Sequence, residues 1–490
     1  MEACAEKCGD PFRDKPPLVR LDDRDGDPCG LFDPIYPSGT DLCAAGCFRL
    51  DLFHHPGTDL SEIHDAGGSE KDRGRGSSAE RKRRPQMISK KTEEGIKKGS
   101  AIRAMFTEGK AMADRFGAEN VYDYSLGNPA VPAPEKLKAV IADLVRETDP
   151  LELHGYMNNA GFPEVREAIA SDLNRRFGTT YDGVHIVMTV GAAGGINVAL
   201  KTILDPGDEV IVFAPYFGEY KNYVGNWDGV LVEVAPDLLT FQPNLAALKE
   251  KITDRTKAVI INTPNNPTGV VYSEETLKRF GEILTEAEER IGHGICLLSD
   301  EPYRELVYDG TVQSFPAKYY KDTIVCYSFS KSLSLPGERI GYLAVSPEIE
   351  DGERLLDGLT TSNRILGFVN APSLMQKAVA ACLSEKTELA FYDKNRKRLL
   401  ESLTSCGFTC VKPEGAFYLW MKVPGAPEGQ TVTPEEEQAF VDRAKEERLL
   451  LVKGSAFGCT GYVRIAYCVS PEMIERSLPS FENLSKHTVK

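Results

Sequence analysis

The sequence predicts an α/β fold, in which a large unit built on a mostly parallel sheet with flanking helices is followed by a smaller α+β unit. Two observations lead there. Short, nearly continuous apolar runs recur through the middle of the chain with helical stretches between them, the pattern of strands covered on both faces. After about residue 390 the order changes to helix, strand, helix, strand, which a second, smaller unit explains. The 490 residues, 41% hydrophobic and 27% charged, suffice for one large and one smaller core.

Taken in order, residues 1–86 stand apart. Pro, Gly, Asp and Arg dominate, apolar residues follow neither a helical nor a strand period, and 69–85 is almost wholly polar. This is the texture of a disordered extension. Residues 1–7 are charged and carry no apolar core of an export signal, so a cytoplasmic chain with reduced thiols is expected. Of the 12 cysteines, Cys4, Cys8, Cys29, Cys43 and Cys47 fall here. Cys4/Cys8 and Cys43/Cys47 invite a zinc reading, yet structural zinc favours tighter knuckles, and no metal is expected. The basic run Arg81-Lys82-Arg83-Arg84 reads better as linker charge than as a phosphate patch. Met87 then opens ordinary globular texture and is itself a candidate start.

Residues 87–130 are expected to contribute to the small domain, 131–390 to form the large one, and 391–490 the C-terminal small one. Phe162, Val165, Ile169, Leu173 and Phe177 recur at helical spacing, and Gly178 stops that helix. Strands follow at 185–190, 209–213, 258–262, 295–299, 323–328 and 340–345, with helices at 194–204 and 274–290 between several of them. Beyond 390 come a helix, a strand at 416–423, a helix at 434–448, and strands around Leu450 and Val463. No internal repeat appears. Gly 43 and Pro 30 are ordinary usage, which excludes collagen-like chains. No run of eighteen apolar residues predicts a membrane-spanning helix. A net charge of −15 argues against nucleic acid as the main partner.

Five motifs carry chemistry, and open α/β sheets place ligands at the strand ends where they lie. In Ser328-Phe329-Ser330-Lys331, a lysine at a strand end follows two hydroxyls and precedes Arg339 by eight positions. Such a lysine can hold an aldehyde while Ser328 and Arg339 grip an anionic group of the same ligand. Ser328-x-x-Lys331 also matches a serine-hydrolase pattern, but that pattern's companion elements are absent. Asp300-Glu301-Pro302-Tyr303 ends another strand; a carboxylate there can keep a pyridine nitrogen protonated, or serve as a helix cap or metal ligand. Asn262-Thr263-Pro264-Asn265-Asn266-Pro267-Thr268-Gly269 is a rigid turn that can also aim an amide at a ring substituent. Gly191-Ala192-Ala193-Gly194-Gly195 opens a helix, where backbone N–H groups bind phosphate. Finally, Arg464 lies inside an apolar strand, and a buried guanidinium needs a carboxylate from the protein or a substrate.

Together and in this order, the motifs resemble the class I/II aminotransferases that use pyridoxal phosphate, of the aspartate aminotransferase-like type. The resemblance runs from about residue 95 to the end. It implies a seven-stranded sheet and Lys331 as the lysine that carries the cofactor aldehyde. Asp300 would hold the pyridine nitrogen, and Tyr303 and Asn266 the 3′-oxygen. Ser328, Arg339 and the amides of Ala192 and Ala193 would hold the phosphate, and Phe217 would stack on the ring. Tyr156 would reach the neighbouring subunit's phosphate, so a homodimer with shared active sites is implied. Gly127, Asn266 and Arg464 would bind the substrate. Residues 1–86 have no counterpart in the family. The Ala192-Ala193 pair lacks the side-chain donors some relatives have, and Pro302 stands where an aliphatic residue is more usual.

The expected activity is transfer of an amino group between an L-amino acid and a 2-oxo acid, with aspartate and 2-oxoglutarate as candidate substrates. Catalysis would rest on Lys331, Asp300 and Tyr303. A lyase or decarboxylase on the same scaffold would use the same residues. An aminotransferase-like transcription regulator would need an N-terminal winged helix, whose periodicity residues 1–86 lack. Arg364 is a candidate reader of a side-chain carboxylate, against the reading as a surface or interface arginine.

Overall fold

The computed structural model describes residues 87–98 and 101–489. The expectations for residues 1–86, with the five early cysteines and the basic run at 81–84, lie outside these. Seven strands form the large sheet: β1 (Ile186–Thr189), β2 (Glu209–Phe213), β3 (Val230–Val234), β4 (Thr256–Asn262), β5 (Cys296–Asp300), β6 (Thr323–Ser328) and β7 (Gly341–Val345). Their order is β1-β7-β6-β5-β4-β2-β3. Only β7 runs against the others, antiparallel to β1 and β6.

Side chains alternate across this sheet, so both of its faces must be covered. Val210, Val212, Ala258, Ile260, Leu298 and Ile324 pack on one face against helix Gly191–Ile203 (α2) through Ile196, Val198 and Leu200. On the other face Ile211, Phe213, Val259, Ile261 and Leu297 meet Leu277, Phe280, Ile283 and Leu284 of helix Glu274–Ile291 (α3). Ser273 caps α3, accepting from Thr276 N, and Gly292 closes it at φ 82°. The helix read from Val165, Ile169 and Leu173 is Pro163–Phe177 (α1), begun by Pro163 and ended by Gly178 at φ 67°.

A four-stranded antiparallel sheet makes the core of the smaller unit: β8 (Cys410–Val411), β9 (Tyr418–Lys422), β10 (Val452–Lys453) and β11 (Tyr462–Ala466), in the order β10-β11-β9-β8. One face packs with Tyr392 and Leu399 of helix Leu389–Ser405, Phe440 of helix Pro434–Glu446, and Phe481 of helix Pro471–Thr488. Trp420 and Tyr462 instead join the cluster around α3, seating this sheet against the large one. Tyr122–Asp123 pairs in parallel with Leu449–Leu450, drawing the segment before residue 130 to the same unit.

The topology decides where chemistry can sit. Parallel strands β1, β2, β4, β5 and β6 all end at one edge, and antiparallel β7 begins there, so Arg339, two residues before β7, reaches the same edge. Among the described residues, no helix is long and apolar enough to cross a membrane, and no group of three or more His, Cys, Asp or Glu is placed to hold a metal ion.

Candidate functional site

Strand β6 ends at Ser328, whose Oγ accepts from Ser330 N at 3.1 Å and so starts the one-turn helix Phe329–Ser332. That turn brings Lys331 Nζ to donate to the Gly127 carbonyl at 2.7 Å, with the Phe417 ring 5.4 Å away. Burial lowers the amine to about 8; Cys468 opposes the shift, and Arg339 and Arg464 add to it.

Asp300 ends the neighbouring strand. Its Oδ2 accepts from the Tyr220 hydroxyl at 2.6 Å, while its buried Oδ1 has no hydrogen-bond partner. Burial pushes this carboxyl up to about 7; Tyr220 opposes the shift and Glu301 adds to it. The Asn262 side chain ties three pieces together. It donates through Nδ2 to the Asp300 carbonyl at 2.8 Å and accepts through Oδ1 from Asn266 N at 2.7 Å. The turn beyond is held by Asn265, whose Oδ1 accepts from both the amide and the hydroxyl of Thr268.

Arg464, 2% exposed on β11, donates to Asn266 Oδ1 at 3.0 Å and to the Ser125 carbonyl, between the rings of Tyr418 and Phe457. Its Nε is unpartnered. The other fully buried arginines are paired: Arg304 with Glu301 at 2.7 Å, Arg396 with Asp309 and Asp393. Among the described residues no carboxylate pairs with Arg464, so neutral oxygens and ring faces alone offset its burial. Tyr303 and Tyr418 share a hydroxyl–hydroxyl bond of 2.8 Å. A Cβ on Gly127 would overlap the Tyr418 hydroxyl, so a side chain there would have to displace Tyr418.

At the start of α2, Val190 provides no side-chain cap, and Gly191 takes φ 80°. The amides of the first turn, those of Ala192 and Ala193 included, therefore have no capping side chain. Arg339 lies over this turn: a Cβ on Gly191 would come within 2.9 Å of its Nη2. The guanidinium is anchored by the Pro336 carbonyl at 3.0 Å and remains exposed. Phe217 is half-buried and meets Tyr220 edge-to-face at 5.7 Å.

One strand edge thus gathers Gly127, Ala192, Ala193, Phe217, Asn266, Asp300, Tyr303, Ser328, Lys331, Arg339 and Arg464. Tyr156 is not among them: it is 94% exposed in the single chain. Arg364, on helix Gly352–Ile365, is also exposed. Sequence reasoning missed Tyr220, Asn262 and Tyr418. Tyr220 had a readable signal, since it stands in the same short aromatic motif as Phe217, three positions on. Asn262 and Tyr418 are the ordinary contents of a strand end and a strand, and only the tertiary pairing marks them.

This donor set fits pyridoxal phosphate. The unpartnered Asp300 Oδ1 suits a ring N–H, the α2 amides with Ser328 and Arg339 suit a phosphate, and the lowered Lys331 amine suits an aldehyde.

Residues 118–481 match the family model described as aminotransferase class I and II. The chain is 33% identical over 373 residues to the probable aspartate/prephenate aminotransferase of Aquifex aeolicus, covering 74% of this chain and 91% of that protein. It is 34% identical over 337 residues to the aspartate aminotransferase of Geobacillus stearothermophilus, covering 66% and 81%. Among solved structures, an amino transferase from Eubacterium rectale superposes with a TM-score of 0.78 at 44% identity, covering 83% of this chain and all of that one. Aspartate aminotransferase from Thermus thermophilus with maleate gives 0.71 at 28%, covering 81% and all of it.

Proposed function

The chain belongs to the class I and II aminotransferase family, and from that premise we propose that it is a pyridoxal phosphate-dependent enzyme acting on an L-amino acid and a 2-oxo acid. One observation carries the cofactor assignment: adjacent parallel strands end in the Lys331 turn and in an Asp300 carboxylate with one buried oxygen unpartnered. The cofactor supplies an aldehyde for the amino group and a ring that takes up electron density from the substrate's Cα.

The chain's own residues do the rest. Arg464 and the backbone around Gly127 bind the α-carboxylate, the guanidinium offering two parallel N–H bonds. Lys331 Nζ, near 8, is neutral often enough at physiological pH to take a proton from Cα and return one. Asp300, with its buried Oδ1 free, would hold a protonated ring nitrogen, whose positive charge would favour the ionised carboxylate against the burial that pushes it up to about 7. Tyr303 and Asn266 would hold the ring oxygen, and Phe217 would stack on the ring.

Homodimerisation belongs to this proposal. Leu151, Tyr156, Ile365 and Phe368 are exposed large apolar side chains. Segments 157–159 and 363–370 are laced together by Asn370 Nδ2 to the Asn158 carbonyl at 2.8 Å, Asn159 Nδ2 to the Val369 carbonyl at 3.0 Å, and Asn363 Nδ2 to the Asn159 carbonyl at 3.2 Å. A second copy covering this surface would bury it and take Tyr156 to the partner's phosphate cradle. The similarity to aspartate and aspartate/prephenate aminotransferases makes acidic amino acids the first substrates to try. The test is a half-reaction screen of the purified holoenzyme against a panel of amino acids, followed by the visible spectrum. Conversion by acidic amino acids is expected; no conversion by any amino acid would overturn the reading.

A further inference from the structure

Tyr418 touches Tyr303, proposed to hold the cofactor ring oxygen, and Arg464 and Gly127, proposed to bind the substrate carboxylate. Its hydroxyl is 2.8 Å from that of Tyr303, its ring lies 4.6 Å from the Arg464 guanidinium carbon, and its oxygen occupies the space a Gly127 side chain would need. It is buried on β9, opposite Ala466 and two positions from Trp420, which opposes Arg464, so the pairing of β9 with β11 sets its place. We propose that Tyr418 is a positioning residue that donates its hydroxyl proton to Tyr303 and thereby aims the Tyr303 proton at the ring oxygen of the cofactor. The proposal rests on the cofactor reading above.

The direction of the bond follows from the proton count. Each phenol carries a single O–H, and with the Tyr303 proton committed to the ring oxygen the Tyr303 oxygen can only accept across the 2.8 Å contact, which leaves Tyr418 as the donor. With its own oxygen accepting from Tyr418, Tyr303 has its proton left for another acceptor. A donor that itself accepts a bond is polarised and donates more strongly. Arg464 therefore acts on the ring oxygen through two phenols, and the carboxylate site and the ring site are coupled by Tyr418.

The experiment is the pH titration of the visible absorption of the holoenzyme for wild type, Tyr418→Phe, Tyr303→Phe and the double variant. Tyr418→Phe keeps the ring on Arg464 and removes one oxygen. It is expected to raise the titration midpoint by about half a pH unit, the size of a modest polarisation of one charge-assisted bond. Tyr303→Phe should raise it further, and adding Tyr418→Phe to that variant should change nothing more, because Tyr418 acts through Tyr303. A Tyr418→Phe midpoint equal to wild type, or an additive double variant, overturns the proposal. Should Tyr418→Phe not yield folded protein, 3-fluorotyrosine at 418, a more acidic donor of nearly the same size, must shift the midpoint downward, and an unmoved midpoint overturns the proposal equally. If the wild-type holoenzyme itself shows no visible band, the cofactor reading fails and this inference falls with it.

Discussion

Arg464 shows at a single residue how burial without a counter-charge announces a ligand. Its guanidinium has two neutral oxygen acceptors, two ring faces and one idle Nε. Arg464→Lys keeps the charge and loses the fork. Catalytic efficiency should fall for every amino acid tried, by about two orders of magnitude if ~2–3 kcal/mol of charge-assisted bonding goes. Arg364→Ala should spare substrates with uncharged side chains if Arg364 reads a side-chain carboxylate, and leave all substrates alike if it is a surface residue. Steady-state kinetics on aspartate, glutamate and alanine decide this. A dicarboxylate-selective loss in the Arg464 variant would show the two roles reversed. Lys331 gives a pH prediction. Its amine falls from 10.5 to about 8 on folding, so between those values the unfolded chain binds the extra proton. Folding is therefore penalised below pH 8, and the penalty fades as pH rises to 10.5. Cofactor-free Lys331→Met should be the more stable protein at pH 7, by at most about 3 kcal/mol, and lose that advantage by pH 10.5 in urea titrations. A difference independent of pH would show that the lysine is not desolvated.

At the scale of elements, the site is a meeting of strand ends, and Asn262 is the clasp between two of them. Asn262→Ala leaves the Asp300 carbonyl and the Asn266 amide without their partner. It should cost about 1–3 kcal/mol of stability and lower kcat more than KM, as Asp300 and Asn266 lose their register. Thermal unfolding and steady-state kinetics check both. The strands that end in the site were legible in sequence because both of their faces are buried: β2 and β6 lie where the continuous apolar runs predict. β3 escaped because it is an edge strand, Val230-Leu231-Val232-Glu233-Val234, with only Val234 fully buried, and a half-exposed strand carries no continuous run. The direction of β7 was also hidden. Nothing in Gly341–Val345 tells parallel from antiparallel, although that reversal is what brings Arg339 to the ligand edge. Lys331, Asp300 and Arg464 were legible because a charged group beside an apolar run is conspicuous. Tyr418 and Asn262 were not, since a tyrosine or asparagine in a strand is unremarkable until its partner from another element is known.

On the scale of the whole molecule, two sheets of different topology meet at one site, where Arg464 and Tyr418 of the smaller bond to Asn266 and Tyr303 at strand ends of the larger, beside Asp300 and Lys331. The family match spans residues 118–481, and residues 1–86 lack apolar periodicity. A chain begun at Met87 should therefore fold, dimerise and turn over as the full chain does. Sedimentation and kinetics test this, and loss of soluble protein would make metal analysis of the early cysteines the next step. The exposed surface around Tyr156 predicts a symmetric dimer in the same sedimentation run, and a monomer at micromolar concentration would leave that surface to another partner. The central claim is that Lys331 carries the cofactor in an amino-transferring site. Borohydride reduction of the holoenzyme followed by peptide mapping tests it most directly: the cofactor adduct is expected on the peptide containing Lys331, and an adduct on any other lysine, or none, would contradict the account.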